Sequence, residues 1–228
     1  MFRFFVDKKD GDKFILNDKT LNHIKTSRVQ NKDFLVNYKG VFYLCFLDGK
    51  TAIIKKKLEI NNEKKQKVFL YQSLINIKRF EWFLQKATEL GVDEIIPIIS
   101  ENISIKYDKL ENKYERWNEI IKNASEQSFR NNAPKLHDPI NFMDAIKNAD
   151  GDKKIILHEK SNLENSIKNF INKNYEKICV FIGPEGGFTD KEIDESIKYE
   201  FQDINLGKRI LRSETASLSI LSILNIFQ

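Results

Sequence analysis

The stretch FIGPEGGFTDKE, residues 181–192, begins inside the apolar run KICVFI and leads into a helix-start signal. It contains three of the chain's nine glycines and one of its four prolines, so backbone freedom is concentrated at this turn. Thr189, with Glu192 three residues later, is typical of a helix N-terminus. The stretch therefore predicts a strand, a glycine turn and a helix. In α/β proteins, ligands bind at the carboxyl edge of the sheet, where such a turn lies.

The residues around the glycines narrow the kind of ligand. A phosphate-binding P-loop needs a Lys and a hydroxyl after its last glycine, whereas Phe188 follows here. The G-x-G-x-x-G spacing of dinucleotide-binding folds does not match either. Glu185, in the middle of the turn, would repel a phosphate, so a ligand with a positive centre fits better. A tight turn that binds nothing remains the alternative at this point.

A second segment repeats the order of strand, glycine, loop and helix: LGKRILRSETASLSILSIL, residues 206–224. Gly207 ends the predicted strand. The apolar helix then begins with residues that suit a helix N-terminus, Ser213, Glu214 and Thr215. Capping does not account for Arg209 and Arg212, which stand in the loop. These two arginines are therefore candidate functional residues.

The bulk properties set the class of protein. The 228 residues suit one large domain or two small ones. No apolar run approaches the roughly 18 residues of a membrane span, and MFRFFVDKKD is too short and too charged for a signal peptide, so we expect a cytoplasmic protein. Cys45 and Cys179 stand singly in apolar runs, which predicts buried free thiols. Neither the Cys nor the His spacing indicates a metal site.

Two regions differ in pattern and in charge. Residues 1–70 hold short β-branched and aromatic runs, which predict a small β-barrel with one short helix at LNHIKTSRV. From residue 71 strands alternate with helices, one of them at residues 163–171, which predicts a parallel sheet covered on both faces. The first region has a charge balance of +8 and the rest −3. This asymmetry favours a nucleic-acid partner, although the Lys-rich composition of the whole chain is a second explanation.

The motifs IGPEGGFTDKE and LGKRILRSETA together resemble those of the RsmE-type 16S ribosomal RNA uridine N3-methyltransferases, of the SPOUT class. The resemblance covers the whole chain, since MFRFFVD, NHIKTSR, WFLQKATELGVDEIIPIIS and ERWNEIIKNASEQSFR are similar to further segments of that family. The chain departs from the family at Asn102 and Ile103, where Arg-Ser is usual, and at Phe129, where Gly is usual. It also has Thr26 and Ser27 where the family has an apolar pair.

The resemblance implies both a fold and an activity. Residues 1–70 would form a PUA-like β-barrel that holds RNA, and residues 71–228 an α/β domain with a parallel sheet, a deep trefoil knot and a homodimer interface. The activity would be transfer of a methyl group from S-adenosylmethionine to N3 of a uridine in the 16S ribosomal RNA of the small subunit, without a metal. Three loops of the knot would bind S-adenosylmethionine, through Leu157, His158, Glu159, Gly183, Pro184, Glu185, Gly186, Gly187, Leu206, Gly207, Arg209, Ile210 and Leu211.

The resemblance also implies roles for charged residues. Arg212 and Arg209 are candidates for stabilising the uracil anion, and Glu214 is a candidate general base or a helix-capping residue. The predicted RNA-binding residues are His23, Lys25, Arg28, Lys32 and Arg130. A family segment that includes Glu126, Gln127 and Arg130 would brace the pocket or the dimer, or would simply be a polar helix face.

Two other functions remain open from the sequence. A non-enzymatic RNA-binding or ribosome-assembly protein with a PUA-like module would explain the basic first region but not the two glycine loops, and it would bind no methyl donor. A knotted ribose 2′-O-methyltransferase would share the fold, although the ligand loops of that group differ in sequence.

Overall fold

The structure is a computed structural model that describes residues 1–105, 110–162, 167 and 175–226. Contacts divide the chain into two compact units, Met1–Glu63 with Lys122–Ala133, and Lys64–Ile121 with Pro134–Gln228. The division therefore lies before residue 70, where the sequence analysis placed it. The reason is that strand β7 (Lys67–Ser73) buries Val68 and Leu70 completely in the core of the second unit.

The first unit is built on one mixed sheet. Its elements are β1 (Arg3–Phe5), β2 (Lys8–Asp10), β3 (Lys13–Ile15), α1 (Asp18–Thr26), β4 (Phe34–Tyr38), β5 (Val41–Asp48) and β6 (Thr51–Leu58). The strand order is β1-β4-β5-β6-β3-β2, with β1 parallel to β4 and the other pairs antiparallel. The predicted short helix is α1, whose Leu21 and Ile24 join the same buried cluster as Phe4, Phe14 and Phe34.

Residues 122–133 belong to the first unit, although residues 122–127 complete a helix that begins at Tyr114 in the second. Glu126 Oε1 accepts a hydrogen bond of 2.8 Å from the Phe5 N–H, and Arg130 Nη2 lies 2.7 Å from Glu63 Oε2. The Asn131 amide donates to the carbonyls of Gly40 and Ile60 at 2.7 Å each. These contacts join residues more than 60 positions apart, so no local sequence pattern predicts them.

The second unit contains an entirely parallel sheet, as predicted. Its further elements are α2 (Ile77–Glu89), β8 (Glu94–Ile99), α3 (Tyr114–Gln127), β9 (Lys135–Leu136), β10 (Ile140–Asn141), α4 (Phe142–Asn148), β11 (Lys153–Leu157), β12 (Lys177–Ile182), α5 (Asp190–Lys198), β13 (Gln202–Ile204) and α6 (Ser213–Ile226). The strand order is β10-β8-β7-β12-β11-β13, and β9 pairs with β8. All these pairs run parallel.

Helices cover both faces of this sheet because its strands are apolar on both sides. Along β12, Ile178, Val180 and Ile182 pack in the cluster that holds residues of α2, α3 and α6, whereas Cys179 and Phe181 face the cluster of α4 and α5. The helix predicted at residues 163–171 lies outside the described residues, apart from Ile167. No helix among the described residues combines the length and the apolarity that a membrane span requires.

Candidate active site

Three loops enclose a cavity of about 420 Å³ in the second unit. They follow β11, β12 and β13, whose carboxyl ends meet at one edge because the strands are parallel and adjacent. All thirteen residues predicted to bind the donor line this cavity. The remaining lining residues are Arg79, Ile182, Ile204, Asn205, Arg212, Ser213 and Ala216. The structure thus brings the two sequence motifs to a single site.

The glycine turn needs its glycines for two different reasons. Gly187 has φ +71°, a left-handed conformation that side chains disfavour, and its N–H donates to the Pro184 carbonyl at 3.0 Å. Gly186 has no positive φ. A Cβ at Gly186 would instead lie 3.0 Å from Asn102 Cβ. Close packing of the turn against the chain after β8 therefore disfavours a side chain there.

Asn102, one of the departures from the family pattern, holds the glycine turn. Its Nδ2 donates to the carbonyls of Gly187 at 3.1 Å and Gly186 at 3.4 Å. The turn then enters α5 through the predicted capping box, in which Thr189 and Glu192 each satisfy a backbone N–H of the other. The end of the turn that leads into α5 is consequently fixed by side chains.

Ser213 joins the second motif to the first instead of capping its helix. Its hydroxyl donates to the Gly183 carbonyl at 2.5 Å, and it accepts from Gln72 Nε2 at 2.8 Å. Gln72 is fully buried in β7, and the Ser217 hydroxyl bonds to its Oε1. Gln72 was not predicted from the sequence. A Gln between apolar strand residues is nevertheless a signal, because a buried amide must find hydrogen-bond partners.

Asn205 provides the third connection between the loops. Its Nδ2 donates to the Glu159 carbonyl at 2.8 Å, while its Oδ1 accepts from the Gly207 N–H at 2.6 Å. Beside it, His158 is 8% exposed, and its Nε2 is buried without a hydrogen-bond partner among the described residues. A buried nitrogen on a cavity wall without a partner in the protein is suited to a ligand contact.

The charged groups of the cavity come from different parts of the unit. Glu185 Oε1 accepts from the Asn76 N–H at 3.1 Å, just before α2. Arg209 and Arg212 are exposed, and neither guanidinium has an ion pair or hydrogen bond to any residue that the structure describes. Arg79, which lies on α2, was not found from sequence, because nothing local distinguishes it from an ordinary surface arginine.

Glu214 does not line the cavity with the two arginines of its motif. It is 7% exposed, and its Oε1 lies 3.9 Å from Arg79 Nε. Its Oε2 is buried and has no hydrogen-bond partner among the described residues. This position at the first turn of α6 fits the helix-terminus role better than the general-base role that was considered for it.

The residues predicted to bind RNA divide into two groups. His23, Lys25, Arg28 and Lys32 are all exposed on the first unit, on α1 and the segment after it. Arg130 is 6% exposed and pairs with Glu63, so its burial does not fit a contact with phosphate. Burial raises the pKa of the Glu63 carboxyl, but the Arg130 guanidinium and two backbone N–H groups outweigh it and bring that pKa below its ordinary value.

The neighbouring Glu126 also serves the first unit rather than the cavity. It is 7% exposed, and burial raises the pKa of its carboxyl although the Phe5 N–H partly opposes this.

Among the residues the structure describes, no three metal-ligating side chains come together in a possible metal site.

Comparison with known proteins agrees with the geometry. The family described as "RNA methyltransferase domain" matches residues 62–225. The ribosomal RNA small subunit methyltransferase E of Mesomycoplasma hyopneumoniae (strain 232) is 45% identical over 97% of this chain and 98% of its own length. The protein of the same name from Bacillus subtilis (strain 168) is 35% identical over 97% of this chain and 95% of its own length.

Solved structures extend the likeness to the whole fold. The ribosomal RNA small subunit methyltransferase E from Neisseria gonorrhoeae, bound to S-adenosyl methionine, superposes with a TM-score of 0.88 at 29% identity. The match covers 98% of this chain and 96% of that protein. From the family match, the high identity over nearly full length and the shared fold, we conclude that the chain belongs to the ribosomal RNA small subunit methyltransferase E family.

Proposed function

We propose that the chain methylates N3 of a specific uridine in the 16S ribosomal RNA of the small subunit, in the cytoplasm, with S-adenosylmethionine as methyl donor. The observation that carries this proposal is the single cavity that gathers both sequence motifs at the carboxyl edge of the parallel sheet. Relatives of nearly equal length bear the name of a small-subunit ribosomal RNA methyltransferase, and one was solved with S-adenosyl methionine bound. The choice of N3 rests on the family resemblance.

The residues of the cavity fit such a donor. The volume of about 420 Å³ lies within the range of roughly 300–1,000 Å³ for small-molecule sites. Apolar side chains that suit a nucleoside base alternate with polar groups, namely the buried His158 Nε2 and the backbone of the two glycine loops. The carboxylates of Glu159 and Glu185 suit a cationic ligand. When bound, S-adenosylmethionine supplies an electrophilic methyl group, which requires no Lewis acid.

The two loop arginines act on the nucleotide. N3 of uracil carries a proton at neutral pH, and this proton must pass to solvent before N3 can act as a nucleophile, so the pyrimidine must become more acidic. Each unit by which its pKa falls corresponds to about 1.4 kcal/mol. Arg212 and Arg209 have no other charged partner among the described residues, and they stabilise negative charge on the uracil carbonyl oxygens. Holding the base against the donor in this geometry supplies the rest of the acceleration.

The remaining features of the fold extend the proposal. The first unit acts as a PUA-like RNA-binding module, supported by its exposed basic residues His23, Lys25, Arg28 and Lys32. The chain around the three loops forms a trefoil knot, supported by the family match. The chain is a homodimer, because α6 carries an apolar residue at half of its positions and ends in Ile226, which is 71% exposed. A monomer in sedimentation at micromolar concentration would contradict the dimer.

One experiment tests the reaction itself. Small ribosomal subunits from cells that lack the protein are incubated with it and with S-adenosylmethionine, and the digested RNA is analysed by mass spectrometry. We expect one N3-methyluridine per subunit, mapped by primer extension, because N3 methylation blocks base pairing. A 2′-O-methylated nucleotide would identify the other knotted class. No methylation, together with no heat of donor binding in calorimetry, would identify a non-enzymatic RNA-binding protein.

A further inference from the structure

Arg79 lies on the cavity wall, and its guanidinium makes no hydrogen bond to the part of the chain that the structure describes. Its Nη1 is 3.7 Å from Glu185 Oε1, and its Nε is 3.9 Å from Glu214 Oε1. Both distances exceed the 2.7–3.2 Å of an N–H···O hydrogen bond. The guanidinium, whose side chain is 40% exposed, makes no hydrogen bond to any residue within the described ranges. The five N–H groups of the Arg79 guanidinium are therefore available to a hydrogen-bond acceptor of a ligand.

A second arginine, Arg116 on α3, forms a fully hydrogen-bonded ion pair in the same unit. Arg116 Nε and Nη2 lie 2.7 Å and 2.9 Å from the two carboxylate oxygens of Glu81, a bidentate arrangement. Arg79 has two carboxylates within 4 Å but no such bond to either. Its neighbours hold the guanidinium near the cavity without occupying its donors.

The carboxylate of Glu185 also accepts fewer hydrogen bonds than it can. One oxygen, Oε1, accepts from the Asn76 N–H, while Oε2 has no hydrogen-bond partner among the described residues. Arg79 and Glu185 thus present a cation and an anion side by side on the same wall. A ligand group that carries both charges close together would satisfy both side chains at once, whereas a phosphate would meet the carboxylates of Glu185 and Glu214.

We propose that Arg79 binds the α-carboxylate, and Glu185 the α-ammonium, of the amino-acid end of the methyl donor. The inference rests on the proposed donor site and adds the recognition of one part of the donor. Arg79 pairs with the carboxylate through its planar fork, and Glu214 orients the guanidinium from the other side. The wall formed by α2 thereby selects donors and products that retain the amino-acid end.

The test compares two ligands that differ in this end, by calorimetry. S-adenosylhomocysteine retains the amino acid, whereas 5′-methylthioadenosine has the same nucleoside without it. We expect Arg79→Ala to weaken S-adenosylhomocysteine binding about 10- to 100-fold, since charge-assisted hydrogen bonds are lost, and to leave 5′-methylthioadenosine binding within about twofold. Arg79→Lys should recover part of the affinity for S-adenosylhomocysteine, because it keeps the charge but loses the fork.

Two matched variants make the outcome specific. Arg116→Ala breaks an Arg–Glu pair of the same unit, neither residue of which lines the cavity, and it should change neither affinity. Glu185→Gln should weaken only S-adenosylhomocysteine. If Glu185→Gln weakens both ligands equally, Glu185 contacts the nucleoside, and the assignment to the ammonium fails.

The donor site and the inference can fail separately. Gly187→Val strains a backbone at φ +71° in the cavity wall and should abolish binding of both ligands, whereas Gly49→Val, at φ +58° in the β5–β6 turn, should not. If Gly187→Val binds both ligands normally, the donor site lies elsewhere. If Gly187→Val fails to bind either ligand, the donor site stands. The role of Arg79 is then refuted if Arg79→Ala weakens both ligands equally, weakens neither ligand, or changes only the affinity for RNA.

Discussion

The hydroxyl of Ser213 donates a hydrogen bond of 2.5 Å to the backbone carbonyl of Gly183, 30 residues earlier in the chain. This bond joins the start of α6 to the glycine turn after β12, and both segments line the same cavity. Because Gln72 Nε2 in turn donates to the Ser213 hydroxyl, the central strand β7 supports the contact. The distance between the two ligand loops is therefore set by a buried polar network.

Removal of the Ser213 hydroxyl should loosen both loops. In Ser213→Ala the Gly183 carbonyl loses its side-chain partner, and we expect a loss of about 1–3 kcal/mol in the free energy of unfolding and weaker donor binding. Ser219→Ala on the same helix removes only a bond from its hydroxyl to the Thr215 carbonyl and should cost less than about 0.5 kcal/mol. Urea denaturation and calorimetry measure both effects. Equal stability of the two variants would show that the network does not hold the loops.

Arg212 should separate catalysis from donor binding. Arg212→Ala should keep donor affinity within about twofold and lower kcat about 10²–10³-fold, the usual cost of one such electrostatic contact. Arg212→Lys should recover part of the turnover, because a lysine lacks the planar donor fork. Turnover is measured with labelled methyl groups on ribosomal subunits, and Lys208→Ala, an exposed cation of the same loop that does not line the cavity, is the control. Loss of donor binding in Arg212→Ala would instead indicate a structural role in the loop.

The first unit should carry the salt-dependent part of RNA binding. Arg28 and Lys32 are exposed beside Lys25, so replacement of both by Ala should lower RNA affinity and reduce the slope of log K against log salt by about 1 for each phosphate contact removed. Lys191→Ala, at an exposed position of α5, is the matched single-charge control. Filter binding over a series of salt concentrations provides both quantities. An unchanged slope would place the RNA footprint elsewhere on the protein.

Arg130 should prove to be a structural residue. Arg130→Ala leaves the carboxylate of Glu63, whose side chain is 12% exposed, without its cation, and we expect a loss of about 3–5 kcal/mol in the free energy of unfolding. Lys55→Ala breaks an exposed pair with Asp33 in the same unit and should cost less than about 1 kcal/mol. Denaturant unfolding compares the two variants. A stable Arg130→Ala variant with weakened RNA binding would restore the original prediction of an RNA contact.

Two of the three loops that line the candidate cavity could be expected from the residues, for one physical reason. In a parallel sheet the carboxyl ends of neighbouring strands meet at one edge, so the two glycine motifs, each after a predicted strand, were expected there, whereas the loop at residues 157–159 was expected only from the family resemblance. The glycines of residues 183–187 and the arginines of residues 209–212 accordingly line the same cavity. The capping box of Thr189 and Glu192 was also predictable, because its two residues lie within one turn of helix.

Predictions that depended on burial were less successful. Arg130 and Glu214 stand in segments that match the family, but their solvent exposure follows from elements far away in the chain. Arg130 is covered where residues 122–133 return to the first unit, and Glu214 is enclosed beside Arg79 of α2. The boundary between the units was predicted after residue 70 but lies after residue 63 for a similar reason, since β7 pairs with β8 and β12 of the second unit.

The sequence by itself determined the periodic elements, the parallel sheet of the second unit and the two loop motifs, because hydrophobic period, glycine and helix caps act over a few residues. Only the tertiary structure decided which distant side chains complete the cavity. Gln72 meets Ser213 across 141 positions, and Arg79 meets Glu185 on the cavity wall and Glu214 outside the lining. Such contacts are selected by the packing of whole elements against one another, and their energies depend on burial that no local segment of the chain encodes.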